Sequence, residues 1–341
     1  MTTPRVAVLP GEGVGPEVME AALHVLAGVL ECDVREGGPI GRAAWQAHGA
    51  ALTEPVAALC AETFAAGGAV LCGPGGQRFV YDLRARFDLY IKRTPVRPIA
   101  ALADAGPLRP EAVRDVDLLV VRENAGGLYF GPSEESDGAS RQSFRYRDDE
   151  VRRLLAEAVR QARARRGRLA LAVKPGAMPA ASAQWTRIFE EMGEGVQTEV
   201  LEVDNAAYQI VARARSFDVV AAPNLFGDIL SDLAALLLGS RGLSYSGNFD
   251  GNFHGGGAAV FQTGHGCAHD LAGRDVANPL GQILSAAMML RAAFDRPTDA
   301  ARIERAVERT VADGFRTADI AGPDATVVGT REMGRRVAEN L

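Results

Sequence analysis

Short aliphatic and β-branched runs recur along the chain at residues 6–9, 69–72, 117–121, 169–173 and 218–222. Each is brief, nearly free of polar residues and bounded by turn-forming residues, which predicts buried strands. Between them, apolar positions return with helical spacing over 16–30, 150–165 and 228–238. Pro16 near the start of the first of these suits a helix's first turn, where its missing N–H is not needed. Strands alternating with helices imply an α/β architecture built on a largely parallel sheet. From Pro279 onward the pattern is helical, punctuated at Arg296-Pro297 and Gly322-Pro323. Residues 244–263 break the pattern: glycines at 247, 251 and 255–257 together with Asn248 and Asn252 predict a long loop. Pro95, Pro98, Pro107 and Pro110 mark a second irregular stretch, and these two regions are the expected crossings between domains.

The length of 341 residues suits two domains. Hydrophobic residues at 47% are enough for real cores and argue against a disordered chain. The formal net charge of -6 argues against a broad nucleic-acid surface. No apolar stretch approaches the ~20 residues that cross a bilayer, and residues 1–13 lack the pattern of a secretory leader. The cysteines, Cys32, Cys60, Cys72 and Cys267, form no metal-ligand spacing and are expected as free thiols in a reducing cytoplasm.

Five constellations carry candidate chemistry. Gly11-Glu12-Gly13-Val14-Gly15-Pro16-Glu17 joins a strand to a helix, but Pro16 occupies the sixth position of a dinucleotide fingerprint, where glycine is required. Asp228 and Asp232 stand four apart on one helix face, a pair of oxygen donors for a hard divalent cation, with Asp204 a possible third. Arg122-Glu123-Asn124 follows an apolar strand, where open α/β sheets place ligands, and Tyr129 lies just beyond. There Arg122 suits a carboxylate and Tyr129 a general acid. Lys174 ends another strand, a position from which a lysine of lowered pKa can relay a proton. His265-Gly266-Cys267-Ala268-His269-Asp270-Leu271, with Asn278 after it, joins close-approach glycine to an acidic group suited to ribose hydroxyls. Each has a plain structural alternative: a tight turn, a solvated aspartate, a salt-bridged arginine, a surface lysine.

Taken together and in this order, these segments resemble the β-decarboxylating dehydrogenases, the isocitrate, homoisocitrate, 3-isopropylmalate and tartrate dehydrogenase family, over essentially the whole chain. The most specific piece is 224–233, Asn-Leu-Phe-Gly-Asp-Ile-Leu-Ser-Asp-Leu, continuing to Gly239-Ser240-Arg241-Gly242-Leu243. The opening glycine turn matches too, with Glu12 where Asp is usual. Ala277-Asn278-Pro279 and residues 283–290 match the cofactor side.

The resemblance implies a two-domain isopropylmalate/isocitrate dehydrogenase-like fold, mixed sheets flanked by helices, and not a Rossmann domain. Residues 1–93 plus 245–341 would form the large cofactor-side domain, and 94–244 the small domain with the dimer interface. It implies a homodimer whose clefts draw on both subunits, no nucleic-acid or membrane partner, and NAD with Mg²⁺ or Mn²⁺. By position Asp204, Asp228 and Asp232 hold the metal, Tyr129 is the acid that protonates the enol, and Lys174 from the partner subunit helps remove the hydroxyl proton. His265, Gly266, Ala268, Asp270, Leu271 and Asn278 lie on the cofactor, and Asp270 would repel a 2′-phosphate, which selects NAD. Arg84 and Arg122 are two of three malate-binding arginines; the third falls on Thr94, with Arg93 adjacent and expected to take its role. His269, Gln262 and Gly176 also depart from the family's usual Pro, Glu and Asn. Val80 and Tyr81 replace the leucine pair of leucine-pathway members, and Arg78 would lie near the substituent. A buried arginine there favours an acidic group, so a malate with an acidic 3-substituent (isocitrate-like, homoisocitrate-like or a phosphonate analogue) is the expected substrate. The alternatives are 3-isopropylmalate oxidation in leucine synthesis, a tartrate-type reaction and a non-catalytic regulatory subunit.

Overall fold

The computed structural model describes residues 3–252 and 256–341. Its first half runs β1 (Arg5–Leu9), α1 (Gly15–Ala27), β2 (Asp33–Glu36), α2 (Gly41–His48), α3 (Glu54–Ala65), β3 (Ala69–Cys72), α4 (Phe79–Arg86), β4 (Ile91–Val96), α5 (Pro110–Val113) and β5 (Leu118–Glu123). A small exposed hairpin, β6 (Ser133–Ser136) and β7 (Ala139–Gln142), precedes α6 (Asp148–Ala164), β8 (Arg168–Val173), α7 (Pro179–Met192), β9 (Gln197–Glu202), α8 (Val203–Ala212), β10 (Val219–Ala222) and α9 (Phe226–Ala234). β11 (Tyr245–Phe249), β12 (Ala259–Thr263), α10 (Leu280–Ala292), α11 (Pro297–Ala312) and α12 (Thr330–Glu339) complete it.

Ten of these strands form one sheet in the order β2-β1-β3-β12-β11-β4-β5-β10-β8-β9. The two wings are parallel, and β11 and β4 run antiparallel to their neighbours at the centre. The result is the expected mixed α/β fold. β1 shows why its run is apolar throughout: Val6 and Val8 face one core, Ala7 and Leu9 the other, because helices cover both faces. The expected domain division at 93/94 falls inside β4, whose first half pairs with β11 and whose whole length pairs with β5. Pro95 is accommodated because pairing with β11 stops at Arg93, so no partner there needs its missing N–H.

Residues 244–263 are not the loop that their composition predicts. They supply β11 and β12, two central strands, while residues 253–255 lie outside the described residues. Asn248 is tolerated in this buried strand because its side chain is bonded on both sides: it accepts from Asn124 (3.0 Å) and donates to the Val260 carbonyl (3.2 Å). The predicted helix over 228–238 is α9, which tightens into a 3₁₀ turn at Ala235–Leu238.

Candidate active site

The carboxyl end of β5 meets the start of α9. Arg122, 2% exposed, donates from Nε and Nη2 to Asn224 Oδ1 (3.1 and 2.8 Å) and from Nη1 to Asp228 in a short pair. Gly227 permits this approach, since a Cβ there would lie 2.7 Å from Arg122 Cβ. Leu225, between the clamp and the helix, has φ 69° and ψ -63°, and the Phe226 N–H bonds the Asn224 carbonyl across it (3.0 Å). This is a strained positive-φ γ-turn, held in place by the packing around it. The Tyr129 hydroxyl donates to the other Asp228 oxygen at 3.0 Å. Burial, then the Asp228 charge, pushes Tyr129 up to about 12, so it keeps its proton at neutral pH. Burial alone would raise the Asp228 carboxyl; Arg122, Lys92, the Tyr129 bond and Arg84 together hold it below the usual range.

Two further cations face this cluster. Arg84 on α4 is 5% exposed and Lys92 on β4 is 9% exposed. Neither side chain has a hydrogen bond or ion pair among the described residues; Arg84 only stands 5.7 Å from the centre of the Tyr81 ring. Burial, then the neighbouring charge of Arg122, lowers Arg84 to about 9; burial, then Arg84 and Arg122, lowers Lys92 to about 7. Asp232, one turn beyond Asp228, bonds Arg241 at 2.9 Å. Tyr81 meets Tyr129 and Phe130 edge-on, each with ring centres 5.9 Å apart. Val80 turns away and packs on the core under α3 and β3.

Like Val80, Arg93 and Asp204 do not join this cluster within one chain, and Arg78 only borders it. Arg93 points to the opposite face of β4, 3.7 Å from Glu157 and with its guanidinium 4.0 Å from the Phe249 ring centre. No change of register is available to bring it round, because β4 is paired along its length and neighbours in a strand face opposite ways. Arg78 stands at the start of α4 with 63% of its side chain exposed, 3.6 Å from Asp82 and with its guanidinium 5.5 Å from the Tyr81 ring centre. Asp204 is beside Lys174 instead, whose Nζ donates to it (2.9 Å) and to Glu202 (2.6 Å). These two carboxylates raise the Lys174 pKa, where the sequence alone suggested a lowered one. Among the described residues no three His, Cys, Asp or Glu side chains converge on a metal-sized site.

The cofactor-side segment packs on the opening turn. The Val14 N–H bonds the Cys267 carbonyl (2.9 Å), and a Cβ on Gly13 would lie 1.9 Å from that oxygen. Glu17 accepts from the Asp275 N–H (3.2 Å). His265 Nδ1 contacts the Gly266 carbonyl (2.9 Å), and burial lowers its pKa. Ala268 has φ 43°; Leu271 packs with Val14, Val18 and Ala277; Asp270 is exposed. Asn278 precedes α10, accepts from the Leu280 N–H (3.0 Å) and donates to Asp319 (3.1 Å). Residue-by-residue reading missed Lys92, Asn224 and Asp319. Lys92 escaped it because β4 is not among the apolar runs: its charged residues and Pro95 hide the strand, and with it the face on which Lys92 lies.

A half-buried tyrosine on Asp228, faced by Arg84, Lys92 and Arg122 in a mixed α/β fold, is an arrangement suited to a carboxylated small molecule. The chain matches the family model "Isocitrate/isopropylmalate dehydrogenase" over residues 5–337. It belongs to that family and is a decarboxylating hydroxy-acid dehydrogenase. It is 38% identical to the 3-isopropylmalate dehydrogenase of Cupriavidus metallidurans, over 99% of this chain and 100% of the relative. It is 36% identical to the 3-isopropylmalate dehydrogenase of Aquifex aeolicus, over 99% and 97%. The crystal structure of isocitrate dehydrogenase from Methylococcus capsulatus superposes with a TM-score of 0.87 at 30% identity, covering 99% of both chains. No described helix is long and apolar enough to cross a membrane.

Proposed function

We propose that the chain carries out the NAD- and divalent-metal-dependent oxidative decarboxylation of a 3-substituted malate, with 3-isopropylmalate the foremost candidate. The observation that carries the reading is Tyr129 hydrogen-bonded to Asp228 beside Arg84 and Arg122. Arg84 and Arg122 orient the substrate carboxylates, and Tyr129, protonated at neutral pH, delivers a proton to the carbon that loses CO₂. Asp228 and Asp232 present oxygen donors on one face of α9, which suits Mg²⁺ or Mn²⁺. Such a cation supplies positive charge against the negative charge developing on substrate oxygens.

Asp204 and Lys174 stand together away from this cluster, and we assign them to the cleft of a second copy of the chain. Tyr208 on α8, Ile229 on α9 and Leu236 beyond it are large apolar side chains left exposed, which a homodimer contact between α8 and α9 surfaces would cover. In that site Lys174 takes the hydroxyl proton. Asp270 and its neighbours lie against the nicotinamide cofactor's ribose, which favours NAD over its 2′-phosphorylated form.

The acidic-substituent expectation loses its support. An acidic substituent would need a buried Arg78, and Arg78 is 63% exposed with Asp82 3.6 Å away. The aromatic edges of Tyr81 and Phe130 offer an apolar substituent a better surface. The relatives named as 3-isopropylmalate dehydrogenases point the same way. The test is NADH formation with Mn²⁺ across isocitrate, homoisocitrate, 3-isopropylmalate, tartrate and a phosphonomethyl analogue, with CO₂ measured in parallel. Preference for 3-isopropylmalate and equal CO₂ and NADH are expected; preference for an acidic substituent would return the substrate contact to Arg78.

A further inference from the structure

We propose that Lys92 grips a carboxylate of the malate core, doing from β4 what the chain lacks an arginine to do at Thr94. This deepens the dehydrogenase reading and rests on it. The register carries the argument. In the antiparallel pair β4–β5, Lys92 lies directly opposite Arg122, Arg93 opposite Val121 and Thr94 opposite Val120. Directly opposed residues share a face of the sheet, and alternate residues along one strand share it too. Lys92, Thr94 and Arg122 therefore project toward the site, and Arg93 toward Glu157 and Phe249.

The charge balance on that face points to an anion. Arg122 is committed to Asn224 and Asp228, and Asp232 to Arg241. Arg84 and Lys92 remain, two side chains at least nine-tenths buried, with no ion pair among the described residues. A buried cation without a counter-ion is costly unless a ligand supplies one. A malate core carries two carboxylates, enough negative charge for both, with Arg122 alongside to orient them. The ammonium is a single point of charge on a flexible stem, where a guanidinium would be a rigid fork. The grip at this position is accordingly less demanding of carboxylate orientation.

The test is steady-state kinetics on the full-length enzyme with its best 3-substituted malate, Mn²⁺ and NAD. Lys92→Met should raise KM for the malate by about 10- to 100-fold, the cost of losing one charge-assisted hydrogen bond, with KM for NAD unchanged. Thr94→Arg added to Lys92→Met should recover much of the loss, because the arginine stem spans the roughly 7 Å between alternate strand positions. Lys92→Arg, which keeps the positive charge, should hold the malate KM well below that of Lys92→Met. Lys92→Gln carries the same expectation as Lys92→Met should methionine not fold. Wild-type turnover with an unchanged malate KM in Lys92→Met or Lys92→Gln would overturn the Lys92 assignment alone. A wild-type enzyme that oxidises no 3-substituted malate would overturn the underlying reading and this inference with it.

Discussion

At the residue scale, two adjacent basic side chains do opposite work. Arg93 holds α6 to the sheet through Glu157 and the Phe249 ring, whereas Lys92 faces the site. Arg93→Met should therefore lower unfolding free energy by about 2 kcal/mol in a denaturant melt, since Glu157 keeps Arg160, and leave the malate KM alone. A rise in KM without loss of stability would return Arg93 to the site. Tyr129→Phe should lower kcat by about 10²–10⁴-fold, the usual span for losing a positioned acid, while the melting temperature stays close to wild type. The same variant fixes a pH expectation. With the Tyr129 pKa raised to about 12, the protonated acid form persists through neutral pH and is lost only as pH rises toward that value. A fall in kcat between about pH 7 and 9 would then belong to another group, and it should survive in the residual activity of Tyr129→Phe.

At the scale of elements, the site depends on how closely α9 approaches β5. Gly227→Ala would set a Cβ 2.7 Å from Arg122 Cβ, so the helix start must shift or the Arg122 clamp on Asn224 must open. The expected result is a loss of about 1–3 kcal/mol in stability, as for overpacking, together with weaker Mn²⁺ binding by calorimetry. Unchanged binding would show that Asp228 does not depend on the clamp. The elements also show where sequence reading holds and where it fails. The apolar runs at 69–72 and 218–222 became β3 and β10 because a continuous apolar run suits a strand buried on both faces. The glycine-rich stretch at 244–263 became strands because Asn248 found partners on Val260, across the β11–β12 pair, and on Asn124, far away in the sequence. Composition carries no record of them.

At the scale of the whole molecule, the candidate metal ligands divide between two places in one chain: Asp228 and Asp232 on α9, Asp204 at the start of α8 beside Lys174. A site shared between copies makes a quantitative prediction. Asp204→Asn and Asp228→Asn should each be inactive alone. Mixed after dissociation and reassociation, they should regain about a quarter of wild-type activity, because half the dimers are mixed and each of those has one intact site. No recovery from a mixture shown to exchange subunits would place the complete site within one chain.

The sequence by itself determined the alternation of strands and helices, the aspartate pair on one helix face and the family resemblance, and offered Tyr129 as a candidate acid. All of these depend on local spacing or on order along the chain, which translate directly into periodicity and adjacency. Only the tertiary structure decided that Lys92 and not Arg93 faces the site, that Arg78 is exposed on Asp82, and that Asp204 keeps company with Lys174. Those outcomes turn on strand register, on which helix face meets the sheet and on contacts between segments far apart in sequence. A one-residue difference in register reverses the direction of a side chain, and register is set by the whole sheet.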